Sequence, residues 1–401
     1  MSQPPHDRSL SYVPPTRIEC LDSIRGLAAL AVLISHVTMA FYWSKDVIRL
    51  RDMPVLNMMY DGRSAVTMFF VLSGFVLTLP YLANPSRGRR ARELFIPTFY
   101  LRRVTRIWIP WAFAFLASVV AKTYFWKHFA TTPDTSAWFN RFWLAPVTLT
   151  NAIAYLPFSI HDSKMVPQDW SLVVEILGSA MIPVFLFFIG RFRPALAVAA
   201  VLFLIFDKTG QYYVSFILGA VAALWYCKHD MWLHGLQLKH KVAMLLSGIA
   251  LYQIRLIAEH YFRLTDNLDK GIWCAASVGC IMILAAVLGS RRIQTVLGFP
   301  AITFLGKISY SIYLIQYLVV LCVLPLVIHS LNAAGITSQI LLHLATVLIA
   351  IAGTVVLAVP MYYTVEIWSI ELGRLLTRFV QSYFGTERHA ASAVCLPPDA
   401  S

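Results

Sequence analysis

The sequence predicts an all-α, polytopic integral membrane protein of about ten transmembrane helices with both termini in the cytoplasm. Three observations lead there. Hydrophobic residues make up 58% of the 401 positions and charged residues only 13%, a balance outside the range of soluble domains. Apolar runs at or near the length that spans ~30 Å of hydrocarbon recur at residues 22–43, 64–83, 104–126, 170–190, 194–206, 211–227, 242–258, 271–289, 308–328 and 338–364. When these runs alternate across a membrane, Lys and Arg concentrate on the side shared by both termini, the cytoplasmic side by the positive-inside rule. The count can shift by one, because only Asp207, Lys208, Thr209 and Gly210 separate the fifth run from the sixth. The chain opens with a polar, Pro-rich tail and no cleavable signal peptide is expected. The expected organisation is an N-terminal cytoplasmic tail over 1–20, a membrane domain over 21–364 and a C-terminal cytoplasmic tail over 365–401.

The first run carries the most informative spacing. Arg25 and His36 bracket an otherwise apolar stretch, and eleven helical residues make about three turns, so both side chains share one face roughly 16 Å apart. One polar group then lies near a membrane surface and the other near the middle. Ionisable groups at that depth are costly and mark functional paths; the alternative is a histidine satisfied by a neighbouring helix. Asp22, three residues before Arg25, is placed for a local ion pair or for the helix dipole. In the second run Ser73 and Gly74 read as small-residue helix packing, and no Gly-x-Ser-x-Gly context supports a serine nucleophile. The cluster Arg87, Arg89, Arg90, Arg92, Arg102, Arg103 and Arg106 fixes topology and touches anionic lipid.

The segment over 127–169 holds Trp138, Phe139, Trp143, Tyr155, Phe158, His161 and Asp162; its aromatic residues read as a belt at the headgroups rather than a binding platform. Glu175 enters the fourth run about a turn and a half from its outer end. It either orients the imidazole, binds the acceptor, or pairs with an arginine or hydrogen bonds to a tyrosine for helix docking. His329 and His343 lie near outer span ends and read as interfacial.

Several function classes have nothing to rest on. The six cysteines have no Cys-x-x-Cys spacing, which argues against a disulfide framework or a zinc site, and no metal is expected. There is no Walker loop and no dinucleotide fingerprint. A net charge of +13, carried beside membrane spans, does not suggest a nucleic-acid partner.

Five stretches, taken in order, resemble the acyltransferase 3 family of integral membrane O-acyltransferases, which modify surface polysaccharides, peptidoglycan, nodulation factors and macrolides. They are Leu21-Asp22-Ser23-Ile24-Arg25-Gly26-Leu27 running on to His36, then Phe69-Phe70-Val71-Leu72-Ser73-Gly74-Phe75, and Arg102-Arg103-Val104-Thr105-Arg106-Ile107-Trp108-Ile109-Pro110. Trp170-Ser171-Leu172-Val173-Val174-Glu175 and Leu305-Gly306-Lys307-Ile308-Ser309-Tyr310-Ser311-Ile312-Tyr313-Leu314 complete the set. Gln316 stands near the place where the family often carries a His. Glu366 is kept where the family often has Glu before a basic residue and Pro, but here Ile367 and Trp368 follow it.

The resemblance implies transfer of an acyl group, acetyl in the first instance, from cytosolic acyl-CoA to a hydroxyl of an extracytoplasmic carbohydrate or glycolipid. It implies His36 as general base, Glu175 as a second catalytic candidate, and Arg25, Arg103 and Arg106 as donor-binding residues, because guanidinium groups suit the phosphates of CoA. Asp22, Ser73 and Glu366 are supporting candidates. The expected setting is a bacterial inner membrane, with membrane lipids as further partners. A transporter or flippase for a glycan or lipid is the alternative, although the internal repeats expected of that class are not evident. A non-catalytic scaffold would not need His36 and Glu175 inside a bilayer.

Overall fold

A computed structural model describes residues 18–82, 89–125, 134–144, 147–155, 165–191, 210–258 and 269–394. Among the described residues seven helical segments are long and apolar enough to cross a membrane: Glu19–Ala40, Gly62–Pro80, Pro97–Tyr124, Asp169–Leu186, Lys270–Leu288, Ser309–Ala333 and Gln339–Tyr383. The protein is therefore an all-α polytopic membrane protein. The expected runs at 211–227 and 242–258 fall in the helices Gly210–Gly235 and Leu238–Tyr252, the second of which is too short to span alone. The expected run at 194–206 lies outside the described residues.

Helix α1 (Glu19–Ala40) has Glu19 and Asp22 in its first turn, where carboxylates complement the helix dipole. Two short helices follow, α2 (Lys45–Arg51) and α3 (Pro54–Tyr60, with Pro at its first turn). Asp61 then accepts hydrogen bonds from the backbone N–H groups of Arg63 and Ser64 at 3.1 and 3.0 Å, the N-cap chemistry that starts α4 (Gly62–Leu82). Next come α5 (Arg89–Tyr124), α6 (Asp169–Arg191), α7 (Gly210–Gly235), α8 (Leu238–Tyr252) and α9 (Asp269–Leu288). The short α10 (Arg291–Leu297) and α11 (Pro300–Lys307) lead into α12 (Ser309–Leu318) and α13 (Leu324–Ala333), which are joined by the π-helical turn Val319–Val323. Helix α14 (Gln339–Met361), capped by the Ser338 hydroxyl, passes through a second π-turn, Tyr362–Glu366, into α15 (Ile367–Val394). The segment beyond the tenth apolar run is thus a helix as far as Val394, and it packs along α5.

Helix α1 is the central element, packed against α3, α4, α11, α12 and α14. Ala29, Leu33 and Val37 are fully buried within it. Lipid is as apolar as these side chains, so helix association here depends on close packing and interhelical hydrogen bonds rather than on escape from water. Between α1 and α11, Gly26 and Gly306 let the backbones meet. A Cβ at Gly26 would lie 2.6 Å from the Gly306 nitrogen, and one at Gly306 would overlap the Asp22 carbonyl. Their backbones touch because neither carries a side chain. Ser23 adds a bond from its hydroxyl to the Leu297 carbonyl at 2.7 Å.

Forcing a side chain between α1 and α11 will separate them. Gly306→Val is expected to abolish the sharp unfolding transition of the detergent-solubilised protein. Gly271→Ala, where a Cβ meets nothing within 4 Å, should leave it within about 0.5 kcal/mol. Equal melting of both variants would show that the glycine contact does not hold these helices together.

Candidate functional site

The residues singled out in the sequence fall into two groups at different depths. The first lies toward the end of α1 that holds the N-terminus. Arg25 donates from Nε to the Ser309 hydroxyl at 2.8 Å and from Nη2 to the Gly306 carbonyl at 3.1 Å, and it pairs with Asp22 at 3.1 Å. The expected local ion pair is present, and the same guanidinium ties α1 to the start of α12. Arg103, on α5, forms an ion pair with Glu175 of α6 and donates from Nε to the Ser179 hydroxyl at 3.0 Å. Ser73 of α4 donates to Glu175 Oε1 at 2.8 Å. Glu366 is buried in the second π-turn, accepts from the Ser311 hydroxyl at 2.8 Å, and lies within electrostatic reach of Arg25 and Arg106. Arg103 in turn senses both Arg25 and Arg106.

Seven of the eight singled-out residues, Asp22, Arg25, Ser73, Arg103, Arg106, Glu175 and Glu366, therefore belong to one partly buried polar network. Its three guanidinium groups are matched by three carboxylates. Two readings change. Ser73 is a hydrogen-bond donor to Glu175, and it is Gly74 that does the packing, where a Cβ would overlap the Phe216 carbonyl. Glu175 takes the arginine-pairing alternative rather than holding the imidazole.

His36 is the eighth residue, and it stands about three turns farther along α1. It lines an open chamber of about 790 Å³ with Tyr60, Trp138, Gln168, Tyr313 and Tyr317, a volume within the usual range of small-molecule sites. Gln316 is its hydrogen-bond partner, with Oε1 3.3 Å from His36 Nδ1. The amide orientation of Gln316 follows from its other bond, because Nε2 donates to the Tyr313 carbonyl at 2.9 Å. Oε1 must then face the histidine. A carbonyl oxygen accepts only, so the neutral imidazole carries its proton on Nδ1 and keeps a lone pair on Nε2. Among the described residues Nε2 has no protein partner.

The walls hold the ring in place. Trp138 stacks on His36 with centroids 5.4 Å apart, and Tyr317 lies at 4.8 Å. Trp138 reaches this position because its loop is clipped to the end of α1: Ser136 N–H donates to the Ala40 carbonyl and Tyr42 N–H to the Asp134 carbonyl, both at 2.9 Å. Trp138 is thus part of the site rather than of a headgroup belt, while Trp143 is buried and bonded to the Met165 carbonyl. Phe158, His161 and Asp162 lie outside the described residues. Gln168 pins α12 near His36 through the Leu314 carbonyl at 3.0 Å, and Ser171 meets the Tyr313 hydroxyl at 2.6 Å.

Two polar residues of this outer region had no sequence signal that separated them from their surroundings. His343, read as interfacial, is fully buried, with Nε2 3.2 Å from the Tyr60 hydroxyl and Trp43 edge-on at 4.5 Å. Burial pushes the Tyr60 phenol up from its ordinary value, so it stays protonated on the chamber wall. Gln316 was visible only as a departure from a family pattern, and the geometry makes it the group that fixes the imidazole.

Breaking one side of the Arg103–Glu175 pair leaves a buried charge unmatched, which costs about 3–5 kcal/mol. Arg103→Gln and Glu175→Gln should each destabilise the protein strongly in denaturant titrations of solubilised material, and the double variant should be less destabilised than the sum of the two. Additive losses would show that the two groups are not coupled.

The comparisons with curated proteins and with solved structures find no match. A family model described as an acyltransferase domain matches residues 18–363, a span that takes in His36 and every residue of the first group except Glu366. The chain belongs to the acyltransferase 3 family of membrane acyltransferases.

Proposed function

We propose that this protein transfers an acyl group, acetyl in the simplest case, from cytosolic acyl-CoA to a hydroxyl of an extracytoplasmic carbohydrate or glycolipid, and that it does so in a bacterial inner membrane. The observation that carries this reading is the His36–Gln316 bond, which leaves Nε2 as a free base on the wall of an open chamber. In the proposed reaction the acceptor hydroxyl gives its proton to His36 Nε2 as its oxygen attacks the thioester carbonyl. The C–S bond breaks as the C–O ester bond forms, and the imidazolium returns the proton to the departing CoA thiolate. The imidazole ends neutral, and Gln316 Oε1 accepts from Nδ1–H throughout.

Arg25, Arg103 and Arg106 stand on the donor's path from the side that holds the N-terminus. Because carboxylates match them, they offer fixed, oriented N–H donors more than net charge, which suits positioning the acyl-pantetheine arm. The wider basic segment from Arg87 to Arg106 supplies counter-charge for the CoA phosphates. Metal chemistry plays no part in this scheme.

Membranes holding the protein are expected to move label from radiolabelled acetyl-CoA into a surface-glycan fraction. His36→Ala, inserted to equal level, should lose about a hundredfold to ten-thousandfold of that rate, the range for a general base. Gln316→Leu should lose about tenfold to a hundredfold in kcat with the KM for acetyl-CoA unchanged, the range for losing a group that orients a histidine. Label that survives His36→Ala would remove the general-base role. Absence of label with every donor and acceptor tried would favour a transporter.

A further inference from the structure

The chamber around His36 has an asymmetric charge that the transfer chemistry itself does not require. Among the described residues its charged lining is Arg51, Arg63, Arg141 and Arg255 against Asp52 and Asp61, two more positive charges than negative. The aspartates are already engaged. Asp52 is paired with Arg51 at 2.7 Å, and Asp61 caps α4, accepting also from the Ser64 hydroxyl at 2.7 Å. A concave site with low-dielectric walls focuses such a surplus on whatever enters it.

Of the four, Arg141 lies next in sequence to the aromatic residues at His36. It ends the 3-10 turn Phe139–Arg141, between Trp138, which stacks on His36, and Phe142, which packs edge-on against Trp138 at 4.8 Å. The Ser136 hydroxyl accepts from Phe139 N–H at 3.2 Å and so fixes this turn to the end of α1. Among the described residues Arg141 forms no ion pair, and its side chain is exposed to the chamber. A guanidinium on the lining of the chamber that holds the base, with no ion pair among the described residues, is a receptor for an anion.

We infer that the acceptor is an anionic glycan, one whose carboxylate or phosphate group lies close to the hydroxyl that is acylated and binds Arg141. This inference rests on the acyltransferase reading above. The aromatic rings of Trp138 and Trp170 on the chamber lining suit the apolar faces of sugar rings, and the arginines select those that carry charge.

The test uses membranes of the cell that makes the protein, labelled acetyl-CoA as donor, and the surface glycans separated by anion exchange. Label is expected in the retained, anionic fraction. Acceptance should disappear when carboxylates in that fraction are reduced to alcohols, or when phosphates are removed by phosphatase, and whichever treatment acts identifies the group. Arg141→Gln should raise the KM for the anionic fraction about tenfold, the size of one lost charge-assisted contact, with kcat changed less than twofold. Arg141→Lys should recover most of that loss. Label confined to the neutral fraction, acceptance that survives both treatments, or an unchanged KM for Arg141→Gln would overturn the inference. No label in any fraction would instead sink the acyltransferase reading, so the two failures are distinguishable.

Discussion

The contact between α1 and the successive helices α11 and α12 positions both groups of polar residues. It begins where two glycines let backbones meet, Gly26 on Gly306, continues through Arg25 to Ser309 and the Gly306 carbonyl, and ends at His36 and Gln316. A bilayer offers no water to satisfy stray polar atoms, so a guanidinium and an imidazole on one helix must find partners on its neighbours. Helix α12 supplies both. Because Ser309 and Gln316 sit on this one helix, the register that satisfies Arg25 also brings Gln316 to His36. A shift of α12 by one residue would rotate both partners off the α1 face.

This arrangement divides the membrane domain into two electrostatic regions. Toward the N-terminal end of α1 the charges are partly buried and balanced, with arginines and carboxylates drawn from α1, α5, α6 and the π-turn before α15. Such a network is rigid and expensive to break, and it fixes donors in place more than it attracts ions from a distance. Around His36 the opposite holds. The space is open, aromatic and positively charged. A substrate entering the first region meets oriented N–H groups, and one entering the second meets stacking faces and unmatched arginine. The difference in character fits two substrates of different chemistry arriving from opposite sides.

Much of this was legible in the sequence, for identifiable reasons. Helical periodicity is a strong constraint, so the shared face of Arg25 and His36 followed from their spacing alone, as did the Asp22–Arg25 pair. Long apolar runs declare themselves, and most of the spans were found within a few residues. What escaped depended on contacts between segments distant in the chain. The assignment of Ser73 to Glu175 crosses from α4 to α6, and nothing local distinguishes it from the packing role that Gly74 performs. Trp138 looks like any interfacial aromatic until the bridge between residues 40–42 and 134–136 carries it over the imidazole. His343 sits at the end of an apolar run, yet α2 and α3 fold back and bury it. Gln316 is an ordinary amide in the sequence and becomes informative only once its Nε2 is tied to the Tyr313 carbonyl.

The central claim is that Gln316 holds His36 as the Nδ1–H tautomer and leaves Nε2 unprotonated. Nitrogen NMR of histidine-labelled protein in detergent or nanodiscs reads this directly, with the His36 signals assigned by their loss in His36→Gln. The account predicts a neutral His36 ring with a protonated Nδ1 and a bare Nε2, and loss of that preference in Gln316→Leu. A His36 ring protonated at Nε2 in the wild-type protein would contradict it.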